Sequence, residues 1–181
     1  MESILEKLSG GDLRSIGRAD EVVADVLADP GLFGAVFQGM FTADPVIRMR
    51  AADVVEKASA LHPEWLAPYK ERLIHEVALV DQQEVRWHAA QMLPRLDLDA
   101  VERRAVFQIL LGYLQDKSSI LRTFAMQAMT DVSEHDAELR AQVRGLMESL
   151  IYEGTPAMKA RGEKLLKQML SEEAGKDERA A

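Results

Sequence analysis

The sequence contains no cysteine among its 181 residues, and this absence removes several classes of chemistry. Disulfides, thiolate zinc sites and cysteine nucleophiles are excluded, and the chain is compatible with a reducing compartment. No apolar run approaches the roughly 18 residues that a membrane span requires. The N-terminal residues include Glu2 and Glu6, whereas a secretory signal begins with basic residues. We therefore expect a soluble cytoplasmic protein with no membrane association.

Positive charge is also scarce in this chain. Lysine and arginine number 22 against 30 aspartates and glutamates, which gives a formal net charge of −8. A field of that sign repels phosphate groups, so it disfavours binding to nucleic acid unless basic residues are concentrated on one face. Aromatic residues make up only 6% of the chain, but the hydrophobic content of 48% is sufficient for a sizeable core.

Motifs that carry catalysis or metal binding are missing as well. The histidines form neither an HExxH motif nor an i,i+4 ligand pair, and no serine lies in a GxSxG turn. The adjacent glycines Gly10 and Gly11 lack the remaining residues of a phosphate-binding P-loop. We therefore expect no catalytic residues, no metal and no cofactor. The histidines are His62, His75, His88 and His135.

What the sequence does contain is helical periodicity. Apolar residues recur at intervals of three and four from about residue 31 to residue 170, and runs of alternating β-branched residues are missing. Prolines divide this pattern, and proline is tolerated in the first turn of a helix but disfavoured inside one. The predicted helices cover approximately residues 31–41, 46–61, 64–79, 84–96, 99–115, 119–135, 136–153 and 157–170.

Every second predicted helix repeats the same pattern. The segments are "IRMRAADVVEKA", "VRWHAAQMLPRL", "LRTFAMQAMTDV" and "MKARGEKLLKQM". A basic residue recurs at intervals of 38, 36 and 37 residues, and a small residue follows it three positions later. This period is the length of a helix-pair repeat, so the pattern predicts a solenoid. The basic residues are Arg48, Arg86, Arg122 and Lys159, and the small residues are Ala51, Ala89, Ala125 and Gly162.

The repeated positions have a structural interpretation. Basic residues in the first turn of each second helix can reach carboxylates and carbonyls of the neighbouring turn, although a row of phosphate-binding residues is the alternative. Small residues let adjacent helices approach closely. Pro94 is expected to shorten or bend its helix. The periodicity predicts eight buried apolar residues, namely Ile47, Val55, Val85, Leu93, Leu121, Met129, Met158 and Leu166.

The segment "DPVIR", residues 44–48, resembles the turn signature of the HEAT repeats, a family of armadillo-like α-solenoids. The resemblance covers about residues 31–170 and implies an all-α fold, an α-α superhelix of about four helix pairs with a short helical N-terminal cap. It divides the chain into a cap at 1–30, a HEAT-like repeat domain at 31–170 and a polar C-terminal tail at 171–181. The fourth repeat departs from the signature, because Thr155 replaces the turn aspartate.

Solenoids commonly bind a segment of another protein in the groove that their second helices line. We therefore expect a non-enzymatic scaffold or adaptor with a protein partner, whose identity the sequence leaves open together with the oligomeric state. Trp87 lies outside the buried stripe, where it either anchors a partner or fills space between helices. The residues expected at the groove are Met49, Trp87, His88, Gln91 and Met126.

Two other functions remain open at this stage. A nucleic-acid-binding or DNA-repair protein resembling the HEAT-like DNA glycosylases would need a basic groove along a duplex. Only the last repeated helix is markedly basic, through Lys159, Arg161, Lys164 and Lys167, so this alternative ranks second. A purely structural module within a larger assembly is the third possibility.

Overall fold

The computed structural model describes the backbone of residues 3–180 and the side chains of residues 3–175. The described residues are helical and contain no strand, so the expected all-α class is confirmed. The chain forms two compact units, Met1–Asp97 and Leu98–Ala181. The predicted boundaries of the cap, the repeat domain and the tail remain predictions.

From residue 3 onward, the first unit contains five α-helices connected by short 3₁₀ segments. Pro45 lies in the first turn of the third helix, and the Asp44 carboxylate caps that helix by accepting from the backbone N–H of Val46. The α-helices are α1 (Ala19–Ala28), α2 (Phe33–Gly39), α3 (Pro45–Leu61), α4 (Lys70–His75) and α5 (Gln83–Met92). The 3₁₀ segments are Glu6–Leu8, Pro30–Leu32, Pro63–Tyr69, Val77–Leu79 and Leu93–Arg95.

Helix α3 is the central helix of this unit, because α1, α2 and α5 all pack against it. Ala51 and Ala89, two of the small residues of the repeat, are completely buried. A Cβ atom added to Gly39 at the end of α2 would lie 2.8 Å from the Ala51 Cβ. The expectation that small residues permit close helix approach is therefore confirmed at Ala51.

The second unit, described as far as residue 180, contains four α-helices. Helix α7 packs against α6 and α9, and α8 packs against α9. Ala125 is completely buried, and a Cβ atom added to Gly162 would lie 3.1 Å from the Ile151 Cγ1. These helices are α6 (Ala100–Tyr113), α7 (Ser119–Val132), α8 (Ala137–Glu153) and α9 (Pro156–Ala180).

Helix α9 runs beyond the predicted end at residue 170. Its continuation packs against α8 through ion pairs, since an Arg140 Nη2 lies 2.8 Å from the Glu172 Oε2 and an Arg144 Nη1 lies 3.3 Å from the Glu173 Oε2. These pairs give a physical reason for the longer helix.

Proline interrupts two of the predicted helices. The continuous helix predicted over residues 64–79 is wrong, because α4 is flanked there by the 3₁₀ segments Pro63–Tyr69 and Val77–Leu79. Pro68 lies inside the first of these segments and supplies no backbone N–H. The expected effect of Pro94 is confirmed, since α5 ends at Met92 and a 3₁₀ turn follows.

Six of the eight apolar residues predicted to be buried are buried, and Ile47 and Leu166 are not. Ile47 is only half-buried because it lies in the first turn of α3, where the packed surface begins. In α9 the completely buried position belongs to Leu165, and Leu166 is turned one residue away from it.

Candidate functional site

Helices α3 and α5 form a braced platform, because polar side chains join them near both ends. Near their first turns, the Arg48 Nε donates to the Gln82 Oε1 at 2.8 Å. The Gln82 Nε2 in turn donates to the carbonyl oxygen of Pro45 at 2.9 Å. The start of α5 is thereby fixed against the start of α3.

A second bridge joins the ends of the same two helices. Arg95, just after α5, donates from Nη1 to the Glu56 carbonyl oxygen at 2.6 Å and to the Ser59 Oγ at 2.9 Å. Its Nη2 also pairs with the Glu56 carboxylate. These charge-assisted bonds are largely withdrawn from water, where they are stronger than at an open surface.

The repeated arginines of the first unit hold their own turns, as the structural interpretation predicts. The Arg48 Nη1 donates to the carbonyl oxygens of Thr42 and Ala43 at 2.8 and 3.0 Å. The Arg86 Nε donates to the Val80 carbonyl oxygen at 2.9 Å, and its Nη2 lies 3.1 Å from an Asp81 carboxylate oxygen. The prediction is therefore confirmed for Arg48 and Arg86.

Three of the five residues predicted at the groove meet at one cavity of about 280 Å³ on this platform. Its lining consists of Met49, Arg50 and Asp53 from α3, Trp87 and His88 from α5, and residues 13–16 from the N-terminal segment. The participation of residues 13–16 was not anticipated from the sequence.

The five predicted groove residues differ in their accessibility. Met49 is only 6% exposed and the His88 side chain 12%, whereas Trp87 and Gln91 are half-buried. The Gln91 Nε2 donates to the Trp87 carbonyl oxygen at 3.2 Å, so its amide supports the helix next to the indole. Met126 is completely buried in the second unit. Its expected place on a groove surface is therefore wrong, because its side chain fills the core between helices instead.

The imidazole of His88 lies in an unusual electrostatic environment within this cavity. Its Nε2 lies 4.0 Å from the Asp53 Oδ1, which is too long for a hydrogen bond, and its buried Nδ1 has no hydrogen-bond partner among the described residues. Burial lowers the pKa of His88 below its ordinary value, against the opposing effect of the Asp53 and Glu56 carboxylates. Asp53 itself lies 2.9 Å from the Lys57 ammonium.

Arg50 is a further residue of this site that sequence reasoning missed. Its side chain is nearly inaccessible, and its Nη1 donates to the carbonyl oxygens of Leu8, Ser9 and Gly10 at 2.9, 3.1 and 2.8 Å. Its Nε donates to the Ser15 carbonyl oxygen at 3.0 Å. In the described part of the chain, every hydrogen-bond acceptor of Arg50 is a backbone carbonyl.

Among the described residues, no group of three or more histidine, aspartate or glutamate side chains is arranged to hold a metal ion. No helix in this part of the chain is long and apolar enough to cross a membrane.

Comparison with known proteins identifies the repeat. The family model described as a HEAT repeat domain matches residues 7–169, which is most of the chain and includes part of the N-terminal segment. No curated protein and no solved structure matches the sequence. With its repeated basic and small positions in stacked helices, the chain belongs to the HEAT repeat domain family and is a helical repeat scaffold.

Proposed function

We propose that this chain is a non-enzymatic adaptor whose first unit binds a segment of a partner protein at the cavity beside Trp87. We call this the Trp87 surface, formed by Met49, Trp87, His88, Leu13 and Ile16. The observation that carries the proposal is the convergence of tryptophan, methionine and two exposed aliphatic side chains on one cavity. Tryptophan and methionine are enriched at binding surfaces because they offer large apolar area with adaptable packing.

The cavity has room for a side chain of a partner. Its volume of about 280 Å³ is close to the lower end of the range of about 300–1,000 Å³ that small-molecule sites have. Leu13 and Ile16 beside it are 41% and 45% exposed, so apolar area continues from the cavity onto the surface. One anchoring side chain of a partner would fill the cavity, and the neighbouring apolar area would contact the flanking residues.

The rigidity of the platform also supports recognition. Bridges at both ends of α3 and α5 hold the backbone that carries Met49 and Trp87 before any partner arrives. A surface that is already ordered loses little conformational entropy on binding, so more of the contact energy is retained as affinity. Location in the cytoplasm remains a prediction from composition.

The test compares capture of partners by the full-length chain and by two single variants. Trp87→Ala removes the proposed anchor, and Leu79→Ala removes another apolar side chain of the same unit that is 61% exposed and lies outside the cavity. Tagged proteins are incubated with lysate, and the captured proteins are identified by mass spectrometry and then titrated in purified form. We expect Trp87→Ala to weaken binding by about 2 kcal/mol or more, roughly thirtyfold in Kd, and Leu79→Ala to leave it unchanged.

Stability measurements on the same variants separate binding from folding. A partly exposed anchor can be truncated at a smaller cost than the roughly 3–5 kcal/mol that removal of a core tryptophan causes. If Trp87→Ala destabilises the chain by that larger amount, Trp87 belongs to the core and the proposal fails. Equal losses of binding in the two variants would also contradict it.

A further inference from the structure

The N-terminal segment that lines the Trp87 surface is attached in an unusual way. We propose that residues 9–17, the strap, form a releasable wall of the cavity that Arg50 latches: with the strap in place a partner contacts Leu13, Ile16 and the accessible part of the indole, and with the strap released it gains access to the whole of Trp87. This inference concerns the regulation of the surface and therefore builds on the proposed function. Its test needs no partner.

The latch is a single guanidinium surrounded by main-chain oxygens. Arg50 extends from α3 and donates to the carbonyl oxygens of Leu8, Ser9, Gly10 and Ser15 at 2.8 to 3.1 Å, with a longer contact of 3.5 Å to that of Asp12. Within the described residues, the hydrogen bonds that join the strap to α3 all come from this side chain. Each of these bonds is charge-assisted, and none of the acceptors is a carboxylate, so release of the strap separates no ion pair.

The backbone of the strap is shaped around that guanidinium. Gly10, Gly11 and Gly17 have φ angles of +73°, +75° and +53°, a region that side chains with a Cβ rarely adopt. A Cβ atom added to Gly17 would lie 2.7 Å from the Arg50 Cζ. One added to Gly10 would meet nothing within 4 Å. Gly17 is therefore needed both for its conformation and for contact with the latch.

The rest of the strap is loosely attached. Residues 9–17 form no helix, and all of them are exposed. Their other hydrogen bonds are local, such as those from the Arg14 N–H to Asp12 and from the Gly17 N–H to the Ser15 Oγ. Because the hydrogen bonds that join the strap to α3 come from one side chain, a single change at Arg50 is expected to favour release, with only the partly covered side chains of Leu13 and Ile16 left to oppose it.

Release would alter the Trp87 surface directly. Residues 13–16 and Trp87 line the same cavity, which holds only about 280 Å³ while the strap is in place. Departure of the strap would remove one wall, widen the cavity and expose more of the indole. The strap thus limits what the surface can accept: a segment binds against Leu13 and Ile16 while the strap is in place, and a segment that needs the whole indole must displace it.

The experiment measures the exposure of Trp87 in the full-length chain. Trp65→Phe leaves Trp87 as the one tryptophan, since the sequence contains two. In this background, Arg50→Lys keeps the positive charge but loses the planar fork of donors. We expect a larger acrylamide quenching constant and a red shift of the emission. Loss of even one charge-assisted bond would raise the released population about tenfold.

A matched pair of glycine variants tests the same contact without changing Arg50. Gly17→Ala and Gly10→Ala impose similar backbone strain, but only the first places a Cβ against the guanidinium. We expect Gly17→Ala to increase quenching of Trp87 more than Gly10→Ala does. Because the chain lacks cysteine, Ser15→Cys can carry a single bimane label, which Trp87 quenches on close approach. Release should brighten the label toward the level seen with Trp87→Phe.

These results test release of the strap separately from the proposed binding function. If Arg50→Lys and Gly17→Ala leave both signals at the parental level, the strap is not a releasable wall and the inference is overturned, whatever Trp87→Ala does to partner capture. If the strap is released but Trp87→Ala still captures every partner, the latch stands and the proposed binding function fails. Should Arg50→Lys lose helical circular dichroism, the glycine pair decides.

Discussion

The contact between α2 and α3 can be tested with one methyl group. Gly39→Ala would place a Cβ 2.8 Å from the Ala51 Cβ and 2.9 Å from the Leu5 Cδ2. The leucine tip can rotate away, but the Ala51 Cβ is attached directly to the backbone of α3 and moves only with the helix. Overpacking of this kind costs about 1–3 kcal/mol.

A favourable contribution opposes that cost. Alanine exceeds glycine in helix propensity by up to about 1 kcal/mol, but Gly39 is the last residue of α2, where only part of this gain applies. We expect Gly39→Ala to lower the free energy of unfolding by about 1–2 kcal/mol. Urea unfolding followed by tryptophan fluorescence reports on this unit, because both tryptophans lie in it.

Gly145→Ala should change the free energy of unfolding in the opposite direction. Gly145 lies in the middle of α8, and an added Cβ would meet nothing within 4 Å. We expect this variant to gain about 0.5–1 kcal/mol, measured by far-ultraviolet circular dichroism during unfolding. If Gly39→Ala stabilises the chain as Gly145→Ala does, the close approach of α2 and α3 is not real, and the interpretation of the small residues fails with it.

Two further predictions concern charge. Burial lowers the pKa of His88 in the folded chain, so at pH values below about 6.5 the unfolded state binds more protons than the folded state and stability falls. The stability advantage of the parent over His88→Gln should therefore shrink as pH drops from about 7.5 to about 5.5 in urea titrations, and a constant difference would contradict it. With a net charge of −8, the chain should not bind generic duplex DNA with micromolar affinity at about 50 mM salt in fluorescence anisotropy titrations, and saturable binding there would favour the nucleic-acid alternative.

The parts of the fold that could be predicted are those that recur within the first unit. Ala51 and Ala89 are completely buried, and Arg48 and Arg86 donate to carbonyl oxygens of the turns before α3 and α5. The same expectation is wrong for the Arg122 Nε, which is buried without a hydrogen-bond partner among the described residues. The effect of Pro94 could also be predicted from local chemistry, because its missing N–H ends α5 regardless of the surroundings.

The parts that could not be predicted depend on contacts between distant segments. Arg50 meets oxygens that lie 35 to 42 residues earlier in the chain, and these oxygens belong to the main chain. A backbone carbonyl has no side-chain identity, so no sequence pattern marks it as the partner of an arginine. The adjacent glycines Gly10 and Gly11 were the available indication of this contact. Their positive φ angles let the backbone bend closely around another group, which here is the Arg50 guanidinium.

One position of the repeat differs in residue type and in contacts from repeat to repeat. Arg50, His88, Phe124 and Arg161 occupy equivalent positions of the four repeats, which therefore carry two arginines, a histidine and a phenylalanine. Arg50 binds the strap, His88 lines the cavity, and Arg161 donates to Gln127 at 3.2 Å. A position that helix packing requires would carry a similar residue in every repeat. A position that contacts a different neighbour in each repeat can carry different residues. Substitutions at the uniform positions should therefore act on stability alone, whereas substitutions at Arg50 and His88 should also change what the Trp87 surface accepts.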